Sequence, residues 1–299
     1  GSYKKGREMI WLTGMALFGM FSAEAFSGYM LPWGQMSYWA AQVITNLFGG
    51  IPVIGDALVI WIRGDFTVAD PTLTRFFMLH VLLLPLVIIL LIAVHFYSLR
   101  IPHVNNQEGE NIDFDVESEK YLTGNKKESK VVPFWPVFLS KDFFVVGIAL
   151  TLFFYLTFYH FNFAMDPINF EPANAMKTPA HIYPEWYFLW SYEVLRGFFF
   201  PVGPIAAMDI GLAAFGFANV IFMIFPFLDR DPIVKPAHKR PRFKIWFWIL
   251  LVDMIVLTVY GKLPPIGVNT WIGFVAAMTF ILLFVALPFI TKKDAGGAK

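Results

Sequence analysis

Six apolar stretches, at residues 9–31, 76–99, 143–161, 205–228, 245–260 and 270–290, limit what this chain can fold into. The hydrocarbon core of a bilayer takes about 20 mostly apolar residues per helix. The expected fold is therefore all-α, a polytopic membrane helix bundle. The fifth stretch is short, and Trp246, Trp248 and Tyr260 are expected to anchor its ends at the interface. Composition argues against buried helices of a large soluble core. Only 15% of the 299 residues are charged and 57% are hydrophobic, too little charge to cover a soluble surface. Disorder and a coiled coil are excluded on the same ground.

The net charge of +1 provides no basic field for nucleic acid. The chain has no cysteine, which excludes disulfides, Cys-ligated zinc, iron–sulfur clusters and covalently attached c-type haem within it. It opens on Gly-Ser-Tyr-Lys-Lys-Gly-Arg and runs straight into the first apolar stretch, as a fragment or an expression remnant does. Crossing six helices in turn puts the start (Lys4, Lys5, Arg7), residues 100–142, residues 229–244 and the tail (Lys292, Lys293, Lys299) on one side. The other side carries only Arg63, Arg75, Lys177, Arg196 and Lys262. The positive-inside rule makes the first side cytoplasmic, with both termini inside.

The connections differ in character. Residues 103–130 are polar and mixed in charge and read as a solvated link. Residues 32–75 and 162–204 are apolar and rich in Pro, Gly, Trp and Tyr. They are expected to pack as short helices against the end of the bundle, where a site can form.

The second stretch carries His80 and His95. An ionisable group in hydrocarbon normally has a partner or a function. Fifteen residues span roughly 22 Å of helix and about 1500° of rotation, which leaves about 60° after whole turns. The two imidazoles thus share a side of one helix, near opposite faces of the membrane. Neutral imidazole suits haem iron, and it equally suits a proton relay or a hydrogen bond to a neighbouring helix. His103, His160, His181 and His238 sit at stretch ends or in loops and read as interfacial or solvated. No other stretch offers a second pair of histidines at this spacing.

Two further motifs stand at the other side. Residues 28–35 read Gly-Tyr-Met-Leu-Pro-Trp-Gly-Gln, where Pro32 and Gly34 turn the chain. Residues 184–187 read Pro-Glu-Trp-Tyr. A carboxylate in an apolar loop is suited by burial to accept a proton, although a glutamate there also caps a following turn. Together with Val-Ile-Thr-Asn-Leu at 43–47, Thr-Leu-Thr-Arg-Phe-Phe at 72–77 before His80, Leu-Asp-Arg-Asp-Pro at 228–232, and Asp253, these motifs run through the whole chain. In this order they resemble the cytochrome b family, the haem- and quinone-binding subunits of cytochrome bc-type quinol oxidoreductase complexes.

The resemblance implies an eight-helix family of which the six stretches match the third to eighth, so that the chain is a fragment lacking the first two. It divides the chain into the remainder of the N-terminal haem-binding domain (1–100), a polar cytoplasmic connection (101–140), and a C-terminal domain with the quinol-site loop (141–299). It implies two haem b groups. His80 would ligate the low-potential haem and His95 the high-potential haem, their partner ligands coming from a missing upstream helix. Arg75 and Arg100 would pair with propionates. Glu185 would accept the quinol proton, with Tyr29, Tyr187 and Tyr192 lining or gating the pocket. Lys141 and Asp142 would serve an inner quinone site with Arg100, though Asp142 alone is an ordinary acid at a helix N-terminus. The 15-residue histidine spacing is that of photosynthetic and some bacterial relatives, and mitochondrial-type sequences are one shorter. Implied partners are a Rieske-type iron–sulfur protein, a c-type cytochrome, quinone, the lipid bilayer and a second copy of the chain, in a bacterial cytoplasmic membrane.

One residue departs from the pattern. Glu24 lies five residues before Tyr29, where relatives usually carry a small or hydroxyl residue. It reads either as a second proton-handling group or as a structurally paired one. Two other functions fit parts of the sequence. A haem b anchor of a quinone-linked dehydrogenase would not need the Pro-Glu-Trp-Tyr loop, and a non-haem transporter with a His/Glu proton relay would contain no haem. A structural subunit that has lost its cofactors is a third reading.

Overall fold

The computed structural model describes residues 1–295 other than Val104, Gln107 and Ala164, so Lys299 of the basic tail lies outside the described residues. The described residues form helices and turns with no strand, only isolated bridges. They fall into two compact units, residues 1–102 with 168–299, and residues 103–167. Five helices among them are long and apolar enough to cross a membrane, and a shorter apolar helix covers Ala207–Ile221. The protein is an all-helical integral membrane protein.

In the larger unit, α1 (Glu8–Met30) is followed by α2 (Gln35–Leu47) and α3 (Gly55–Arg63), both in the loop expected to pack as short helices. Next comes a long helix, α4 (Asp70–Met78), a π turn (Leu79–Leu83) and α5 (Leu84–Arg100). Pro85 explains the π turn. A proline inside a helix has no N–H to give, and its ring collides with the carbonyl four residues back, here that of Val81. The helix widens instead of breaking, and Leu84 N bonds the carbonyl of Leu79, five residues back.

The stretch at 205–228 is expected as one span, and it is broken. Helix α9 (Ala207–Ile221) ends before a turn, and α10 (Phe225–Leu228) restarts with Pro226 in its first turn. Pro226 would clash with the Phe222 carbonyl in a continuous helix. The freed Phe222 carbonyl instead accepts the Trp11 indole N–H at 2.6 Å. The fifth stretch is longer than expected, as α11 (Pro241–Lys262). Its basic ends, Arg242, Lys244 and Lys262, are helical too. Trp246 is not an interfacial anchor: it is 2% exposed in the core, and its indole donates to the Leu283 carbonyl of α12 (Val268–Ala295) at 2.7 Å. Trp248 is exposed.

The main core joins α8 (Leu189–Arg196), α9, α10, α11 and α12 through Val194, Ala218, Phe225, Trp246, Phe280 and Phe284. At one end of this unit, residues 1–7, 100–102, 229–243 and 291–294 meet. Lys4 Nζ lies 2.8 Å from Asp229, Arg7 donates to the Pro102 carbonyl, and the Phe243 N–H at the start of α11 donates to Asp294 at 2.9 Å. The start, residues 229–244, the tail and the first three residues of the 100–142 segment are thus at one end of this unit.

The smaller unit contains α6 (Phe114–Leu122) and α7 (Leu139–Tyr159). Asp113 caps α6 by accepting from the Asp115 and Val116 N–H groups. The polar link is mostly exposed, with Lys130 paired to Glu110 at 2.7 Å.

Candidate haem and quinone sites

Two glycines of α1 face the two histidines of the long helix. A Cβ at Gly14 would sit 3.3 Å from His95 Cε1. One at Gly28 would sit 2.5 Å from His80 Cε1 and 3.0 Å from its Nδ1. Glycine weakens a helix by roughly 1 kcal/mol against alanine, and here it leaves room for an imidazole against the backbone. The glycines are 14 residues apart and the histidines 15. The π turn reconciles the two spacings, because a bond to the fifth residue back puts one extra residue in the turn. Fifteen residues then cover about 14 α-helical steps, a residual rotation of about 40°. Both rings consequently meet α1.

The bonds to α1 fix which nitrogen of each ring is free. His80 Nδ1 lies 3.0 Å from the Glu24 carbonyl oxygen and 3.1 Å from Glu24 Oε1. A carbonyl only accepts, so Nδ1 carries the proton and Nε2 the lone pair. Thr13 donates its hydroxyl to the Met9 carbonyl at 2.7 Å, so its oxygen accepts the His95 Nδ1–H at 2.9 Å. Neither Nε2 makes a hydrogen bond among the described residues.

Glu185 precedes a 3₁₀ turn (Trp186–Phe188) that leads into α8, and its side chain does not cap that turn. Half-buried, it lines a small chamber with Tyr29 and Tyr187, between Phe26, Ala40, Ile44, Pro184 and Phe188. Tyr187 is pushed up to about 12 by burial and by the neighbouring Glu185 charge. A larger apolar cavity of about 380 Å³ shares Phe26, Ala40, Ile44, Pro184 and Phe188 and extends to Ser27, Leu79 and Tyr192. That volume is within the range of small-molecule sites. Three of the four predicted quinol-site residues share one chamber, and the fourth lines the space beside it.

A set of hydrogen bonds holds this arrangement. Gln35 N donates to the Glu171 carbonyl, Asn174 N donates to Gln35 Oε1, and Ser37 N donates to Asn169 Oδ1, at 2.7–2.9 Å. These tie the start of α2 to residues 169–174. Buried Arg63 donates to Thr45 Oγ1 and Asn46 Oδ1, both at 2.8 Å, and so ties α3 to α2. Arg196 pairs with buried Glu193 at 2.5 Å and donates to the Leu263 carbonyl at 2.6 Å, which fastens α8 to the end of α11. Burial raises the Glu193 carboxyl against the opposing pull of Arg196. His181 is held below its ordinary value, first by burial and then by the Arg196 charge.

The other predicted residues are more dispersed. Arg75 donates to the Trp61 carbonyl and packs over Gly64, whose φ of +76° and missing Cβ give it space. Arg100 is exposed at the end of α5, and Tyr192 donates to the Ile182 carbonyl at 3.2 Å. Lys141 and Asp142 are exposed on the first turn of α7, in the smaller unit.

The first 171 residues match the family described as cytochrome b(N-terminal)/b6/petB, and residues 172–294 match cytochrome b(C-terminal)/b6/petD. The chain is 39% identical over 302 residues to the cytochrome b of Cereibacter sphaeroides, covering 97% of this chain and 66% of that one. It is 42% identical over 295 residues to the cytochrome b of Rickettsia bellii, covering 98% and 68%. A solved chain from a hyperthermophilic respiratory Complex III superposes with a TM-score of 0.85 at 35% identity, over 99% of this chain and 73% of that one.

The chain belongs to the cytochrome b family.

It spans about two thirds of the length of these curated relatives. Family membership implies haem b, and the residues fit. Each candidate ligand presents an Nε2 lone pair from a ring whose other nitrogen is anchored, the arrangement that orients metal-ligating histidines. Sequence reasoning on this cytochrome b-family chain missed Gly14, Gly28, Thr13 and Ser27, whose Oγ lies 3.4 Å from His80 Nδ1. A glycine interval one residue short of the histidine interval is the signal that could have found the first two. It also missed a buried charge cluster. Tyr3 and Lys4 bond Asp229 at 2.5 and 2.8 Å, and fully buried Arg240 bonds Asp229 at 2.7 Å and lies 3.3 Å from Asp231.

Proposed function

We propose that this chain is the electron-transfer subunit of a respiratory quinol:cytochrome c oxidoreductase, oxidising quinol at one end of the bundle and reducing quinone at the other, coupled to proton translocation. The observation that carries the proposal is the chamber shared by Glu185, Tyr29 and Tyr187 beside an apolar cavity that reaches the His80 turn at Leu79. Quinol would enter the cavity, where few polar groups compete for it. Glu185 would accept a hydroxyl proton in a poorly hydrated chamber. Tyr187 keeps its proton and would act as a hydrogen-bond donor rather than a base. Tyr192, tied to Ile182, would hold the rim.

His80 and His95 would hold two haem b groups through Nε2, with partner ligands from a segment upstream of these residues. When bound, the haems would supply one-electron transfer along the long helix that carries His80 and His95. Arg75 would meet a propionate near His80. Arg100, Lys141 and Asp142 would serve the quinone-reducing end. The partners proposed are a Rieske-type iron–sulfur protein, a c-type cytochrome and a second copy of the chain. The membrane proposed is the bacterial cytoplasmic one, with residues 1–7 and 229–244 on its cytoplasmic side. The division at 1–100, 101–140 and 141–299 is proposed with it.

The test is a dithionite-reduced minus oxidised spectrum of the native protein in its source membrane, with haem counted per chain. Two b-type haems at separate potentials are expected, and none would sink the proposal. In the same membranes Glu185→Gln is expected to slow quinol oxidation at least about 100-fold. A turnover within twofold of the wild type would remove Glu185 from the mechanism.

A further inference from the structure

Glu24 is turned toward a candidate haem ligand. Its carboxylate Oε1 lies 3.1 Å from His80 Nδ1, and its own carbonyl oxygen lies 3.0 Å from the same atom. The second carboxylate oxygen, Oε2, is buried and has no hydrogen-bond partner among the described residues. Glu24 is absent from the linings of both the small chamber and the apolar cavity. The equivalent atom of the other candidate ligand, His95 Nδ1, faces the neutral hydroxyl of Thr13 at 2.9 Å. His80 Nδ1 thus donates to a carbonyl and has Ser27 Oγ at 3.4 Å, with a carboxylate oxygen beside it, whereas His95 Nδ1 faces a hydroxyl.

We propose that Glu24 is a redox-tuning residue, which lowers the reduction potential of the haem on His80 by placing a carboxylate 3.1 Å from that ligand's Nδ1, while the haem on His95 has no such group beside its ligand. The inference rests on the proposed haem ligation. Its physical basis has two parts. The Nδ1–H bond to the Glu24 carbonyl orients the ring and makes Nε2 a stronger donor, which favours the ferric ion. A carboxylate charge this close to the ligand also favours the more positive oxidation state. Reduction adds one electron to the iron, from quinol in turnover or dithionite in a titration. No bond forms or breaks, and the Nδ1 proton stays where it is. Glu24 thus acts through His80, as a positioning residue that also carries charge, and does not touch the substrate space.

The experiment is a potentiometric titration of both haems in membranes containing the intact complex, wild type against Glu24→Gln. Gln keeps the length and an acceptor oxygen but loses the charge. The reduction equilibrium of the lower-potential haem is expected to shift about tenfold toward the ferrous form, ~59 mV for one electron, while the other haem stays within twofold. Glu24→Thr, the same loss of charge with a hydroxyl, is expected to shift the same haem the same way, and it carries the test if the Gln variant assembles poorly. Two haems at unmoved potentials in either variant would overturn the inference and leave the haem reading intact. Equal shifts of both haems would overturn it as well, because the effect would then be global. Absence of haem from the wild-type membranes would overturn the haem reading itself.

Discussion

The clearance at Gly28 sets up an asymmetric pair of substitutions. In Gly28→Ala the new methyl lies 2.5 Å from His80 Cε1 and 3.0 Å from Nδ1. Carbon atoms settle at about 3.5–4.0 Å, so the ring must retreat by about 1 Å. That retreat lengthens the 3.0 and 3.1 Å contacts of Nδ1 with Glu24 to about 4 Å, beyond a hydrogen bond. Overpacking costs about 1–3 kcal/mol and the lost hydrogen bond about 1 kcal/mol. Together these weaken the hold on one haem by about 30- to 1,000-fold. In Gly14→Ala the methyl lies 3.3 Å from His95 Cε1 and 3.8 Å from Nδ1. A retreat of about 0.2–0.3 Å relieves it, and the 2.9 Å bond to Thr13 survives. The loss there is expected below about fivefold. Redox-resolved difference spectra of membranes with each variant distinguish the haems. Gly28→Ala should lose the His80 haem and keep the other, and Gly14→Ala should keep both. Equal damage from both substitutions, or two normal haems in Gly28→Ala, would refute the assignment of the glycines to the rings.

Two predictions concern stability. Burial alone would raise the Asp229 carboxyl, but hydrogen bonds from Lys4, Tyr3 and Arg240 outweigh it and hold the group below its ordinary value. Its contribution is therefore fully present above the unfolded value of about 3.9 and is lost as pH falls through the lowered folded pKa. Thermal melts of the purified complex should weaken across that acidic window. Asp229→Asn should remove that acid step and, by leaving buried Arg240 with Asp231 at 3.3 Å as its remaining anionic partner, cost about 1.5–3 kcal/mol. A variant that melts like the wild type at neutral pH would contradict the cluster's role. Trp11→Phe leaves the Phe222 carbonyl only its 3.4 Å bond from Phe225 N, and should cost about 1 kcal/mol in the same assay. A stability unchanged to within about 0.5 kcal/mol would mean the carbonyl finds another donor.

The sequence made the spans, the two histidines and the short helices of the apolar loops legible, because hydrophobic length and turn chemistry are local. It did not reveal where an apolar run breaks. Residues 205–228 are hydrophobic on both sides of Pro226, so hydropathy carries through the turn. Trp246 read as interfacial from its place near a stretch end, but the helix starts four residues earlier at Pro241 and its core face takes the indole inward. Partnerships between distant residues were the least legible. Lys4 and Asp229 are 225 positions apart. Gly28 had no visible reason to be a glycine until His80 lay against it. Glu24 was conspicuous as a charge in an apolar run, but only the folded chain gave it a partner. Glu185, Tyr29 and Tyr187, singled out from the resemblance, line one chamber, and what could not be read was the support of this region by Gln35, Ser37 and Asn169.

The π turn beside Pro85 makes the interval between the two histidines a poor ruler. Helix α1 counts 14 residues between its glycines, and the facing helix can count 14 or 15 if the surplus residue is stored in a turn of five. A one-residue insertion in an ordinary helix would swing everything beyond it by about 100°. Here the swing is absorbed within a single turn, and both imidazoles keep their glycines. The histidine interval and the glycine interval can therefore differ by one residue without parting either ring from its glycine.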